Sequence, residues 1–471
     1  MSPETKMKEF SIRALAQIIR TVPIKSIDGF FTGVSADSRT VQKGDCFFAL
    51  PGENFDGHDY VADAFAKGAA GAVVSKDSKL TGDNLLRVDD TIKALGDFAT
   101  EYRQQRGFEV VAITGSVGKT AVRQIVYHVL SRHYRVYQSP KNFNNQIGLP
   151  LTLLGADPEH QIVVAELGTN HPGEIAYLTG IAQPNIAVVT NVYPAHLTGF
   201  GDLQTIVWEK LSIVDGLQAD GALIINADSD RLVNACGAKG LRFITFGKSD
   251  ECDVQVKNIT HTEFGSSFVV DGVQICLPLF GLGNVDNALA AWAVCSRFGL
   301  TIDDFADAVK TLSAVPMRAE LLQIGTLTVL NDCYNANPAS MKNALDIIAN
   351  LDPTGQRRLV FICGDMAELG QQSEQLHAEL GFSITQTQVG LLLTVGSLAK
   401  IAAEAAKRSA KNDLRIKCFK DTASACNNLQ KFIKDYDIIL VKGSRVAKLE
   451  MTVEKMKTFF AEPQRKLTHK M

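Results

Sequence analysis

From about residue 106 onward the sequence alternates short, wholly apolar runs ending in polar residues with longer stretches whose apolar positions recur every three or four residues. The runs at 110–114, 162–166, 186–190, 222–226 and 244–246 are of strand length. Strands apolar on both faces must be covered on both faces, which predicts a doubly wound, mostly parallel α/β sheet. A second series follows Pro316, with apolar runs at 327–330, 359–362, 391–395 and 438–441 separated by helical stretches such as 340–350. Ahead of both lie shorter pieces, strand-like at 46–50 and 70–74 with a helix-like 60–68 between them. The expectation is three α/β domains: a small N-terminal unit over 1–105, a central unit over 106–316 and a Rossmann-like C-terminal unit over 317–471. The length of 471 residues agrees with that number at roughly 150 residues per domain.

The run at 110–114 leads into Gly115-Ser116-Val117-Gly118-Lys119-Thr120, and then Ala121, Val122, Ile125, Val126, Val129 and Leu130 repeat at helical spacing. Strand, glycine loop and helix come in the order a phosphate cradle (P-loop) needs. Glycines let backbone N–H groups approach phosphate at a helix N-terminus, Lys119 supplies a point charge, and the Thr120 hydroxyl can ligate Mg²⁺. Ile113 stands five positions before Gly118, where strict Walker A has glycine, so the loop is a shorter version. With 48 Lys+Arg against 51 Asp+Glu, the net charge of −3 gives no electrostatic basis for binding nucleic acid or an anionic membrane. An anion must be met locally.

Glu166 ends the next apolar run and so reaches the sheet edge where open α/β sheets bind ligands; there it can hold a metal, face water or cap a helix. His196 follows another strand's carboxyl end, in a position open to a hydrogen-bonded loop residue or a metal ligand. Leu203, Ile206, Val207, Leu211, Val214 and Leu217 form a helical stripe, and Lys210 lies along it. Its stem can snorkel with the ammonium in water, or the amine can be modified into an anionic ligand.

The first residues carry charges through Lys8 without a signal-length apolar stretch, and no segment reaches the roughly 18 apolar residues of a span, so a cytoplasmic location is expected. Nine cysteines at 46, 236, 252, 276, 295, 333, 363, 418 and 426 stand singly, and are expected to be reduced and mostly buried.

Taken in order, these pieces resemble the Mur ligase family of ATP-dependent amide-bond-forming enzymes over nearly the whole chain. Segments 34–39 and 48–58 are similar to the family's nucleotide-sugar-binding segment, which makes Ser35, Asp37, Ser38 and Arg39 implied substrate contacts. The phosphate loop implies ATP contacts at Gly115, Ser116, Gly118, Lys119 and Thr120, while segment 142–148 resembles a substrate loop containing Asn144 and Asn145. Segment 166–175 is similar to the family's acidic strand-end motif, and His196 followed fourteen residues later by Lys210 to its metal-binding histidine and carbamylated lysine. Segment 281–291 resembles an adenine-binding piece in which Asn284 and Asn287 read base edges, and Arg318 an arginine that meets ATP. Segment 331–338 is similar to the signature of family members that add D-alanyl-D-alanine, which makes Asp332 an implied ATP contact and Tyr334, Asn335 and Asn337 implied substrate contacts; 364–370 and 441–445 match the remaining motifs.

The resemblance implies transfer of the ATP γ-phosphoryl group to the terminal carboxylate of UDP-N-acetylmuramoyl tripeptide, then attack by D-alanyl-D-alanine on the acyl phosphate, in peptidoglycan precursor synthesis. It implies Lys119, His196, Lys210 and Arg318 as catalytic, and two Mg²⁺ ions held by Thr120, Glu166, His196 and a Lys210 carbamate formed from CO₂. It implies the tripeptide nucleotide and D-alanyl-D-alanine as small-molecule partners, without nucleic acid or membrane insertion, and leaves protein partners open. The chain departs from the family at Leu282 and Gly283, where basic or imidazole side chains are common, at Ala121 and Val122, where hydroxyl residues are common, and at Gln146, where Glu is usual. A family member adding diaminopimelate or lysine would carry Asp-Asn-Pro-Arg where 331–338 reads otherwise, and a guanine-reading regulatory protein would carry Asn-Lys-x-Asp, which is absent.

Overall fold

The computed structural model describes residues 7, 9–21, 28–52, 54–262, 264–352, 355–409 and 414–460; Glu53, in the expected nucleotide-sugar segment, lies outside them. Among the described residues the centre of the molecule is a seven-stranded, all-parallel sheet. Its order is Val254–Gln255, Ile244–Gly247, Ala222–Asn226, Ile186–Val189, Glu109–Thr114, Ile162–Glu166 and Val136–Gln138. The chain leaves Glu109–Thr114 toward one edge and later returns to its other side at Ile186–Val189. Strand order therefore reverses there, and the carboxyl ends beside it are where such sheets take ligands.

The third unit is a six-stranded sheet ordered Glu320–Ile324, Leu327–Asn331, Ile438–Lys442, Leu359–Gly364, Val389–Val395 and Arg415–Phe419, parallel except for its first strand. The N-terminal unit carries four parallel strands, Gly33–Ser35, Asp45–Phe48, Gly71–Ser75 and Leu85–Val88. The apolar runs thus become strands at or within two residues of their expected places. The antiparallel sheet of Lys257–Thr262, Gly265–Val270 and Val273–Leu277 is not among the expected elements. The stripe expected to reach Leu217 as one helix is instead an α-helix over Leu203–Leu211 followed by a 3₁₀ turn over Ser212–Gly216.

The helix Thr91–Arg106 starts at Asp90, whose carboxylate accepts from the Ile92 and Lys93 N–H groups, and stops at Gly107 in the left-handed region, φ +67°. It carries Phe98 and Tyr102, both fully buried, and the Tyr102 hydroxyl donates to the Ala156 carbonyl at 2.7 Å. Arg103 donates to the Ala182 carbonyl at 3.2 Å and to Asn185 Oδ1 at 2.9 Å. One apolar cluster consequently runs from Phe10 and Phe48 through Phe98 to Leu153, Val163, Val189 and Ile225, so the N-terminal and central units share a core. The third unit's sheet is packed by clusters of its own. The nine cysteines are free, and six of them are buried, while Cys252 is half-buried and Cys276 and Cys418 are exposed. Among the described residues no helix is long and apolar enough to cross a membrane.

Candidate active site

A cavity of about 1030 Å³ lies between the carboxyl ends of the central sheet and the third unit, lined from one side by Lys119, Glu166 and His196 and from the other by Arg318, Tyr334 and Lys442. That is at the upper end for a single small-ligand site, which suits more than one substrate. The central-unit part grows out of the strand Glu109–Thr114, whose chain turns through Gly115 at φ +143° and Gly118 at φ +90° into the helix Lys119–Leu130. Both positions need glycine sterically as well. A Cβ on Gly115 would stand 2.0 Å from Thr190 Oγ1, and one on Gly118 would stand 2.2 Å from Asn287 Oδ1.

The loop is fastened to the neighbouring strand's end. Asn191 Oδ1 accepts from the Val117 N–H at 2.9 Å, the Thr190 hydroxyl donates to the Val117 carbonyl at 2.6 Å, and the Ser116 hydroxyl donates to the Tyr193 carbonyl at 2.9 Å. Lys119 folds back to donate to the Gly115 carbonyl at 2.7 Å. Burial lowers its pKa against the pull of Glu166, and the nearby Arg318 lowers it further.

Glu166 is buried at the end of Ile162–Glu166, where the Thr120 hydroxyl donates to Oε2 at 2.8 Å and Asn144 Nδ2 to Oε1 at 3.0 Å. Arg123, one helical turn after Thr120, stands 3.7 Å from Oε2. Burial pushes the Glu166 carboxyl up, but Lys119, Arg318, Arg123 and the Thr120 hydroxyl together outweigh it and leave the group below the usual carboxylate value.

His196 begins a short turn in the left-handed conformation, φ +52°, and its Nδ1 is hydrogen-bonded to the Glu368 carboxylate of the third unit. Its pKa lies below the ordinary imidazole value, mainly through burial, against the pull of Glu368 and with help from Lys119 and Lys210. Lys210 is 2% exposed, so it does not snorkel, and among the described residues no hydrogen bond or ion pair engages its amine. Burial first, then Lys119, drives its pKa well below that of an ordinary lysine, although Glu209, Glu174 and Glu166 oppose the shift. The adjacent Glu209 points elsewhere: its carboxylate accepts from the Gly173 and Ile175 N–H groups at 2.7 and 2.8 Å, tying the Lys210 helix to the start of Glu174–Ala182.

On the third unit, Arg318 sits between Met317 and Ala319, both at positive φ, with its guanidinium carbon 4.1 Å above the Tyr334 ring centroid. Asp332 Oδ1 accepts from the Ala319 N–H at 3.0 Å, while Oδ2 receives Lys442 Nζ at 2.5 Å. The same amine donates to the Asn335 carbonyl at 3.0 Å, so a lysine with a 2% exposed side chain shapes the whole 332–335 loop. Asn337 caps the helix Pro338–Asn350, its Oδ1 accepting from the Ser340 N–H at 2.9 Å.

Ser116, Gly118, Lys119, Thr120, Asn144, Asn145, Glu166, His196, Asn284, Asn287, Arg318, Asp332, Tyr334, Asn335 and Asn337 all line this one cavity. Each asparagine amide expected to read a base already has an internal acceptor, Asn284 Nδ2 the Phe280 carbonyl at 2.9 Å and Asn287 Nδ2 the Asn284 Oδ1 at 3.2 Å. Gly115 and Lys210 are not among the residues that line it. Ser35, Asp37, Ser38 and Arg39 are apart from it in the N-terminal unit, where the Asp37 carboxylate takes Arg39 Nε at 2.9 Å and a terminal guanidinium nitrogen at 2.7 Å. That arginine holds the Asp37 pKa below the usual carboxylate value. Glu368 and Lys442 fall in segments that match family motifs but carried no expected role of their own, and Arg123 and Glu209 were not expected at the site. Arg123 at i+3 from Thr120 was detectable from spacing, and Lys442 directly after an apolar strand run was another signal.

The sequence matches three family models: the Mur ligase family catalytic domain over residues 30–110, the Mur ligase middle domain over 113–295 and the Mur ligase glutamate ligase domain over 317–445. It is 36% identical over 429 residues to the UDP-N-acetylmuramoyl-tripeptide–D-alanyl-D-alanine ligase of Bacillus subtilis, covering 90% of this chain and 92% of that one. The Escherichia coli protein of the same name is also 36% identical, over 91% of this chain and 94% of its own. Among solved structures, MurF from Acinetobacter baumannii superposes with a TM-score of 0.86 at 29% identity, over 96% of this chain and 99% of that chain. MurF from Thermotoga maritima in complex with ADP gives 0.80 at 26% identity, over 91% and 97%.

Proposed function

Because the chain belongs to the Mur ligase family, we propose that it is the ATP-dependent ligase that joins D-alanyl-D-alanine to UDP-N-acetylmuramoyl tripeptide. The observation that carries the reading is the meeting of Lys119 and Glu166 from the central unit with Arg318 and the 332–337 segment from the third unit around one cavity. A terminal carboxylate oxygen of the tripeptide attacks the γ-phosphorus of ATP, and ADP leaves. The dipeptide amine then attacks the acyl carbon, loses a proton, and expels phosphate. Negative charge gathers on phosphoryl and carboxylate oxygens in both steps, so the chain's task is positioning and electrostatic stabilisation. The loop N–H groups and Lys119 hold the phosphates, Arg318, stiffened on Tyr334, meets transferring charge from the opposite side, and the Asn335 loop presents the dipeptide.

The donor set suits Mg²⁺ at one place as it stands: Thr120 and Glu166 offer adjacent buried oxygens, the donors a hard cation prefers. Lys210 suits it only after carbamylation, which replaces a buried amine, without a partner among the described residues, by two oxygens; burial, by lowering the pKa of that amine, favours the unprotonated form that attacks CO₂. With His196 that carbamate would hold the second ion. Bound Mg²⁺ neutralises phosphoryl charge and polarises the oxygens in transfer. The N-terminal unit, through Ser35, Asp37, Ser38 and Arg39, takes the uridine nucleotide, and these three units correspond to domains over 1–105, 106–316 and 317–471.

Phosphate release that requires both the tripeptide nucleotide and D-alanyl-D-alanine supports the proposal. Release supported equally by a single free amino acid in place of the dipeptide points to another family reaction.

A further inference from the structure

We infer that Glu368 is a positioning residue for His196, fixing the tautomer and rotation of its ring so that Nε2 is the nitrogen offered to a divalent cation. The inference rests on the reading of His196 as a metal ligand given above. An ionised carboxylate can only accept, so in the His196–Glu368 pair Nδ1 carries the hydrogen, and in the neutral ring, the form that ligates metal, Nε2 is then the nitrogen with the lone pair. The ring lines the cavity, and among the described residues no hydrogen bond engages Nε2. Neutral imidazole with one ring nitrogen tied to a carboxylate is the arrangement that raises ligand basicity and removes rotational freedom before metal arrives.

The carboxylate is presented from a stiff base. Its loop leaves the strand Leu359–Gly364 through Asp365, whose Oδ1 accepts from the Ala399 N–H at 2.6 Å and whose carbonyl accepts from the Ser444 N–H at 2.8 Å. The next residue is held too, since the Met366 N–H donates to Nε2 of the buried His377 at 3.0 Å, and His377 Nδ1 donates to the Ser373 carbonyl at 2.6 Å. Glu368 itself sits at φ +63°, a conformation that a non-glycine residue keeps only when its surroundings hold it. The Glu368 carbonyl also accepts from the Thr198 N–H at 3.3 Å, so backbone and side chain of one residue clasp both sides of the His196 turn. The partners belong to different units, 172 positions apart, so His196 is oriented only while the third unit sits against the central one.

The test is Mn²⁺ titration of the full-length protein in the presence of a non-hydrolysable ATP analogue, comparing wild type, Glu368→Ala, Glu368→Gln, His196→Ala and the His196→Ala/Glu368→Ala double variant. The affinity component that disappears in His196→Ala should be weakened about 10- to 100-fold in Glu368→Ala. Glu368→Gln, which keeps an acceptor oxygen, should lose less. In the His196→Ala background, removing Glu368 should have little further effect, because the two act as one unit. Melting temperature and affinity for the ATP analogue should stay near wild type in Glu368→Ala. Unchanged Mn²⁺ affinity in Glu368→Ala, an equal loss with and without His196, or the absence of any His196-dependent Mn²⁺ component overturns the inference. A wild type that binds Mn²⁺ through His196 yet ligates nothing overturns the proposed reaction and leaves the positioning role standing.

Discussion

Lys119 and Lys210 are both lysines whose pKa burial depresses, and the reasons separate them. Lys119 faces the cavity, with an acceptor at the Gly115 carbonyl. Replacing it with Ala removes charge from the phosphate site but leaves the loop's N–H groups and packing in place. The expected result is a fall in kcat of about 10²–10³-fold, as for loss of one preorganised oxyanion donor, with a melting temperature near wild type. Near-normal ligation with Mg-ATP would contradict the loop's assignment. Among the described residues Lys210 has no hydrogen-bond or ion-pair partner, so it costs stability in the unmodified protein. Its folded pKa lies below its unfolded value of roughly 10.4, so the unfolded chain binds the extra proton and stability rises with pH between those two values. In CO₂-free buffer Lys210→Met should therefore melt higher than wild type near neutral pH, and the gap should close as pH approaches 10. Lys210→Ala should be nearly inactive in ligation and partly rescued by short carboxylic acids that occupy the vacated space. An active, substrate-bound enzyme whose Lys210 is unmodified by mass would rule out the carbamate.

At the scale of elements, Asn337 and Asn335 have different jobs although they stand in one segment. Asn337 is a helix cap, so Asn337→Ala should cost about 1 kcal/mol in denaturant unfolding while Asn337→Ser keeps most of it. Among the described residues Asn335 Oδ1 bonds only to the neighbouring Ala336 N–H, at 2.8 Å, and Asn335→Ala should raise KM for D-alanyl-D-alanine or ATP more than for the muramoyl nucleotide. A selective rise for the muramoyl nucleotide would put that loop at the wrong substrate. Gly118→Ala forces a methyl group toward Asn287 at a left-handed position, and should cost about 1–3 kcal/mol and most of the ATP affinity. Strands such as Ile162–Glu166 were legible because both faces are buried and the run is unbroken. Lys257–Thr262 was not, since it is mostly exposed at a sheet edge and its residues are largely polar. The same divide holds in the site. Gly118, Lys119 and Thr120 are contiguous and could be read locally, whereas the clasp on His196 and the Lys442–Asp332 pair join residues 172 and 110 positions apart that no local pattern connects.

For the whole molecule, the core that runs without a break from Phe48 through Phe98 to Val189 means that the N-terminal and central units are one body, with the third unit as the separately packed piece. That division sets where the gene can be cut. A fragment ending near residue 312 keeps both faces of the Thr91–Arg106 helix covered and should be expressed as a folded, monodisperse protein that still binds ADP. A fragment ending near residue 106 leaves Phe98 and Tyr102 without the Leu149, Leu153 and Ile181 side of their core, and should be recovered in inclusion bodies. If the short fragment instead gave a soluble product with sharp, dispersed amide resonances, the two units would be separable after all.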